Sequence, residues 1–298
     1  MHPGTNCACA VPPLATVELR GAAFRAHPGF TSATAAYCAE MIRSQLGIWP
    51  TVKLFNQFGR YMVSFLLIHQ YQEWLGHRGP VPTLKRLQAC GNLSSRQTAN
   101  IIAGLRAGRL LTSTQAEGCR GRALMPTPEL TAAISHSMLA FIRAADRLEG
   151  CSRAPKLETN PSLQNELIHR SAQFVFTYGT LLDPFPRVRH FTMKDCGYLV
   201  LVAVMAAAYA SAGEAPSLSY TSLARRFRVS RSHIGNLIAD GAREQWFTTD
   251  GHGQLKSIDR GFIEEFERWA AAELGHYALI ADQMLVQPGD EFSLAGTG

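Results

Sequence analysis

Apolar residues recur at helical spacing through most of the chain. The pattern is clearest in six stretches, about 32–46, 57–75 and 129–148, and again about 163–181, 193–211 and 261–284. Between the second and third stretch of each set lie two shorter amphipathic segments joined by a tight turn. A Gly-containing segment with hairpin character follows each pair. The expected fold class is therefore mainly α, with two small β hairpins. Both halves read in one order: leading helix, proline corner, strongly apolar helix, short helix, turn, second helix, hairpin, closing helix.

The parallel is an internal repeat. Displaced by 136 residues without a gap, Leu46, Pro50, Val52, Phe55, Pro80 and Leu87 pair with Leu182, Pro186, Val188, Phe191, Pro216 and Leu223. The same shift pairs Ser94, Asn100, Ile102, Ala103 and Thr112 with Ser230, Asn236, Ile238, Ala239 and Thr248. These are eleven identities over positions 46–112, where composition alone gives about four. Trp49-Pro50 pairs with Phe185-Pro186, at a corner where proline disfavours a helical predecessor. The organisation expected is an irregular arm over 1–30, a first unit over 31–148, a polar linker over 149–161, a second unit over 162–285 and a tail over 286–298.

Each unit contains a candidate helix-turn-helix. In the second, Ala224 is small where two helices would cross, Val229 plugs the turn, and Ser230 is a natural N-cap. Ile234, Leu237 and Ile238 then form a buried stripe, which leaves Arg231, Ser232, His233 and Asn236 on the outer face. In the first, Ser94 is the cap, and Thr98, Ile101, Ile102 and Leu105 face inward. Ser95, Arg96, Gln97 and Asn100 face outward. Arginine suits guanine and asparagine or glutamine suits adenine when the start of such a helix enters a major groove, so these eight are the candidate base contacts. Ala99, Ala103, Gly235 and Ala239 would allow close approach of the duplex.

After the first recognition helix come an apolar stretch, a basic Gly-rich tip and a second apolar stretch, the succession of a wing. Arg120 and Arg122 in the tip are candidate phosphate or minor-groove contacts. The second wing, Asp250 to Lys256, is shorter and offers His252 and Lys256. Arg225, Arg226 and Arg228 form a basic cluster beside the second recognition helix and complete the candidate backbone contacts.

With an arginine-bearing wing followed by Met125-Pro126-Thr127-Pro128 at a helix start, the chain resembles the MarR family of bacterial regulators, over about 115 residues twice. The resemblance implies winged-helix units, dimerisation through terminal helices and a response to small aromatic ligands or oxidants. Members bring one unit per chain and this chain has two, so the arrangement expected is an intramolecular pseudo-dimer, a monomer that binds double-stranded DNA.

Composition changes this picture little. A charge of +6 and a pI near 9.0 suit a polyanionic partner without being extreme. The seven cysteines show no CxxC pair and the ten histidines no ligand spacing, so neither a disulfide framework nor a metal is expected. Cys90, in the turn before a recognition helix, is expected to be buried. There is no phosphate-binding glycine loop, HExxH or G-x-S-x-G, and the expectation is a non-enzyme without a cofactor. No signal-peptide pattern opens the sequence, and the apolar run Tyr198 to Ala210 is too short to span a bilayer. The expectation is a cytoplasmic, nucleoid-associated transcription regulator with no membrane contact. A replication initiator and a protein-interaction adaptor are the competing readings. Any effector pocket would lie between the apolar helices and the terminal helices, and the sequence selects no occupant for it.

Overall fold

The computed structural model describes residues 11–43, 55–90, 93–116, 121–211 and 215–285. Helices occupy most of them, and the strands form two separate two-stranded antiparallel sheets. The first half contains α1 (Leu14–Ala26), α2 (Phe30–Arg43), α3 (Phe58–Leu75), α4 (Leu84–Cys90), α5 (Ser95–Ala107), β1 (Leu111–Gln115), β2 (Arg122–Pro126) and α6 (Pro128–Glu149). The second contains α7 (Arg153–Glu158), α8 (Pro161–Tyr178), α9 (Pro186–Thr192), α10 (Gly197–Tyr209), α11 (Tyr220–Phe227), α12 (Arg231–Arg243), β3 (Phe247–Thr249), β4 (Leu255–Ile258) and α13 (Arg260–Leu285). Helices α5 and α12 stand 136 positions apart at both ends. The proline corner of the second half holds a short helix, α9, which opens on Pro186, where the missing N–H costs nothing.

The run from Leu199 to Ala207 in α10 is buried at every position. A helix apolar on all sides needs neighbours all round. One of them comes from the other half: α2 lies along α10, and reciprocally α8 lies along α3. Closing helices α6 and α13 pack on each other, and α6 also touches α2 and α8. Both hydrophobic cores therefore cross the expected boundaries. One joins Tyr37, Cys38 and Met41 of α2 to Leu199–Ala207, and the other joins Leu167, Ile168 and Ala172 of α8 to Val63–Ile68 of α3.

Two expectations are corrected. Within the arm, Leu14–Ala26 is helical and packs on α13, burying Val17, Gly21 and Phe24. Its apolar face is only these three residues, one of them glycine, too weak a stripe to stand out in the sequence. The contact is close because it runs through Gly21 and Gly275. A Cβ on Gly275 would sit 2.7 Å from the Val17 carbonyl oxygen and 2.9 Å from the Gly21 nitrogen. Within the supposed linker, α7 buries Arg153, Ala154 and Leu157. Its polar composition conceals the fact that Arg153 is held by Asp146 at 3.0 Å, by Glu149, and by Asp282 at 3.5 Å. A buried guanidinium is tolerated when it is paired in this way. The expected tail, 286–298, lies outside the described residues.

Gly275→Val is expected to push α1 off α13, to lower the unfolding free energy by about 1–3 kcal/mol, and to expose Arg20 and Arg25 to trypsin. Unchanged stability together with unchanged protection would contradict this docking.

Candidate nucleic-acid interface

Both candidate recognition helices begin in the same way. The N–H of Gln97 donates to Ser94 Oγ at 3.2 Å, and the N–H of His233 donates to Ser230 Oγ at 3.1 Å. Each cap satisfies one of the N–H groups left over at a helix start, worth about 1 kcal/mol. Thr98, Ile101, Ile102 and Leu105 in α5, and Ile234, Leu237 and Ile238 in α12, are buried as the helical spacing requires. Both helices end alike. Arg109 and Gln245 take left-handed conformations, at φ 57° and 58°, which lets the N–H of Leu110 reach Leu105 O and that of Trp246 reach Gly241 O, both at 2.9 Å. Each hairpin then joins the segment ahead of its short helix, through Leu124 N–H to Pro82 O at 2.9 Å and Leu218 N–H to Gly253 O at 2.7 Å. Gly253, with φ 77°, admits this approach; a Cβ there would be 2.2 Å from Ser219 N.

The eight candidate base contacts divide into two groups. Ser95, Arg96, Asn100, Arg231, Ser232 and Asn236 are exposed. The side chains of Arg96, Asn100, Arg231 and Asn236 make no hydrogen bond or ion pair among the described residues. Gln97 and His233 stand at the third helical position, where side chains serve the helix start. Gln97 Oε1 accepts from the Ser94 N–H at 3.1 Å and completes a capping box. His233 is half-buried, and its Nε2 donates to the Asp195 carbonyl at 2.7 Å, which ties α12 to the segment before α10. Both side chains are thus engaged at the start of their helices, unlike the other six. Gly235 is reassigned: it faces the ring of Tyr220, 3.2 Å from where its Cβ would be, whereas Ala103 and Ala239 are exposed.

In the first hairpin, β1 and β2 pair from Leu111 with Pro126 to Gln115 with Arg122. Arg122 is exposed but folds across the hairpin. Its Nε donates to Ser113 Oγ at 3.1 Å and a terminal nitrogen donates to the Ser113 carbonyl at 2.7 Å. Arg120 lies outside the described residues. In the second hairpin the Asp250 carboxylate accepts from the N–H groups of His252 (2.9 Å) and Gln254 (2.8 Å), which closes the tip and leaves the side chains of His252 and Lys256 exposed. The Asp250 carboxyl is held below the usual carboxylate range, first by its hydrogen bond from Gln254.

Arg225 and Arg228 are exposed and Arg226 is half-buried. Lys85 and Arg86 on α4 are exposed as well. Sequence reasoning passed over those two because the repeat places Thr221 and Ser222 at their positions in the other half. Asp240, the one acid within α12, is paired with Lys194 and with Arg243 at 2.9 Å. The Lys194 ammonium holds its carboxyl below the ordinary range. Cys90 is exposed rather than buried, while Cys38 and Cys196 are buried. Among the described residues, no group of three or more His, Cys, Asp or Glu side chains is placed to hold a metal ion, and no helix is long and apolar enough to cross a membrane.

Compared with protein-family models, with curated proteins and with solved structures, the chain matches none.

His233→Ala removes the tie to Asp195 and is expected to lower the urea-unfolding free energy by about 1–2 kcal/mol. Asn236→Ala, one turn away and unpaired, is expected to leave stability unchanged or to raise it by up to about 0.7 kcal/mol. The reverse order would show that the two side chains do not have these separate roles.

Proposed function

We propose that this chain is a sequence-specific DNA-binding transcription regulator, in which two MarR-like winged helix-turn-helix units form a pseudo-dimer within one polypeptide and present two recognition helices to successive major grooves of a duplex. The observation that carries the reading is a pair. Asn100 and Asn236 occupy the same position in two helices that open on the same serine cap, and both are exposed and unpaired. Asparagine is a poor residue for a helix interior, less favourable than alanine by up to about 0.7 kcal/mol. Its occurrence at the same exposed position of both copies is accounted for by an external hydrogen-bonding partner, and a bidentate contact to adenine is the match for its amide.

Arg96 and Arg231 stand on the same faces, beside Ser95 and Ser232. In this reading they contact guanine, and the exposed Arg225, Arg228, Lys85 and Arg86 track phosphates at the flanks. The exposed Ala103 and Ala239 leave room for the groove floor. An adaptor that never meets nucleic acid would have no use for arginine and asparagine on two matched faces.

Selection of bound duplexes from a random pool tests the proposal. A defined motif is expected, and Ala substitution of Arg96, Asn100, Arg231 or Asn236 should each cost about 1–3 kcal/mol of specific binding and relax preference at one position. Gln97→Ala should reduce stability and leave the motif unchanged. Arg225→Ala with Arg228→Ala should weaken binding to all duplexes and flatten its salt dependence by about one to two ions. Four recognition variants that bind the selected duplex like the parent would refute the assignment.

A further inference from the structure

A cavity of about 760 Å3 opens where the two halves meet, between α3 and α10 on one side and α6, α8 and α13 on the other. Its wall is largely aromatic. Phe141 stacks on Tyr277, with ring centres 5.7 Å apart and planes at 16°, and meets the edge of Trp269 at 5.7 Å. The stretch Gly108 to Leu110, which joins α5 to β1, also lines it. An occupant would therefore touch the end of a candidate recognition helix.

The repeat supplies an internal control on whether this space is a packing defect. Leu110, in the wall, pairs with Trp246 in the other half. There Trp246 stacks on Phe262 at 5.5 Å and packs against His190 at 5.0 Å. The same position is thus filled by an indole in one copy and holds the smaller leucine, beside open space, in the other.

Two polar atoms in the wall are left over after the polar groups there have paired with one another. His136 Nε2 and His276 Nδ1 are buried without a hydrogen-bond partner among the described residues. Glu273 lies deep among protein atoms yet keeps accessible surface, since it borders the cavity, and its carboxylate accepts from Trp269 Nε1 at 3.1 Å. A buried polar atom with no partner is costly, and two of them beside a carboxylate around one space are what a ligand would complete.

We infer that this cavity binds a hydrophobic organic cation, an arylalkylamine protonated at neutral pH, with its ammonium against Glu273 and its rings against the aromatic side chains of the wall. Aromatic faces attract cations through their quadrupole, and a carboxylate set among them selects positive charge over negative. The other titratable groups around Glu273 do not reverse this choice. Burial holds His136 of α6 below its usual range and brings His276 of α13 down to about 3, so both are neutral near pH 7. Burial likewise raises the phenols Tyr37, Tyr61, Tyr198 and Tyr277. Arg109 and Glu129, both exposed, stand at the rim with opposite charges. Glu273 is pushed up to about 7 by burial, so that it can ionise near neutrality, and a bound cation favours its charged form.

Titration calorimetry on the free protein, without DNA, tests this with three anthracene probes that differ only in one substituent, 9-aminomethyl, 9-hydroxymethyl and 9-carboxylate. Its outcome is therefore independent of the DNA-binding reading. The amine is expected to bind one to one, at least tenfold more tightly than the alcohol or the carboxylate. Glu273→Gln should reduce the preference for amine over alcohol to within about twofold while leaving alcohol binding in place. Leu110→Trp, which installs the residue of the other half, should abolish binding of all three, and Ala133→Leu is a milder filling variant with the same expected direction. Absence of saturable binding, a carboxylate bound as tightly as the amine, or an amine preference that survives Glu273→Gln would each overturn the inference.

Discussion

The requirement that two strongly apolar helices be covered governs the rest of this molecule. Helix α10 is buried from Leu199 to Ala207, and α3 from Val63 to Ile68. Neither finds enough cover in its own half, so α2 crosses to α10 and α8 crosses to α3. At about 1.5–3 kcal/mol for each large aliphatic side chain buried, separating the halves would expose more apolar surface than a domain's net stability can offset. The halves are thus bound to each other by their cores, and α6 and α13 lie together along the junction. In the proposed function this coupling sets how the two recognition helices stand relative to each other, as an interface between subunits does in a dimer.

The same junction explains the placement of the cavity. Where helices from two copies converge, packing cannot be optimal for both copies at once unless side chains diverge. The second copy has done so with Trp246, whereas the first keeps Leu110. Divergence runs through the candidate recognition faces as well: Arg96 pairs with Ser232, and Arg231 with Ser95. One arginine therefore remains on each face, displaced by one position, so the proposed operator would have related but unequal half-sites.

Much of the fold was legible because it rests on local chemistry. The caps Ser94 and Ser230, the buried stripes of α5 and α12, and the 136-residue register follow from residue types at fixed spacing, and the structure keeps all three. What escaped reading depends on partners distant in sequence. Helix α1 is held by a glycine contact to α13, and α7 by an arginine whose carboxylates lie on two other helices. The role of Gln97 was legible in principle, since Ser94 followed by Gln97 spells a capping box. That of His233 was not, because Asp195 is brought to it only by the tertiary fold. Glu273 gave no signal in the sequence, where it reads as one more polar position on a long helix. Only the convergence of α3, α6, α8 and α10 around it gives it a distinct environment.

The proposed function requires one chain to do on DNA what a dimer of winged-helix subunits does with two. Sedimentation of the protein on a selected duplex, combined with hydroxyl-radical footprinting, measures this directly. A single chain of 32.6 kDa protecting two adjacent major grooves, about 34 Å apart, with unequal half-sites, is the result the account predicts. Two chains on a perfect palindrome, or protection confined to one groove, would contradict it.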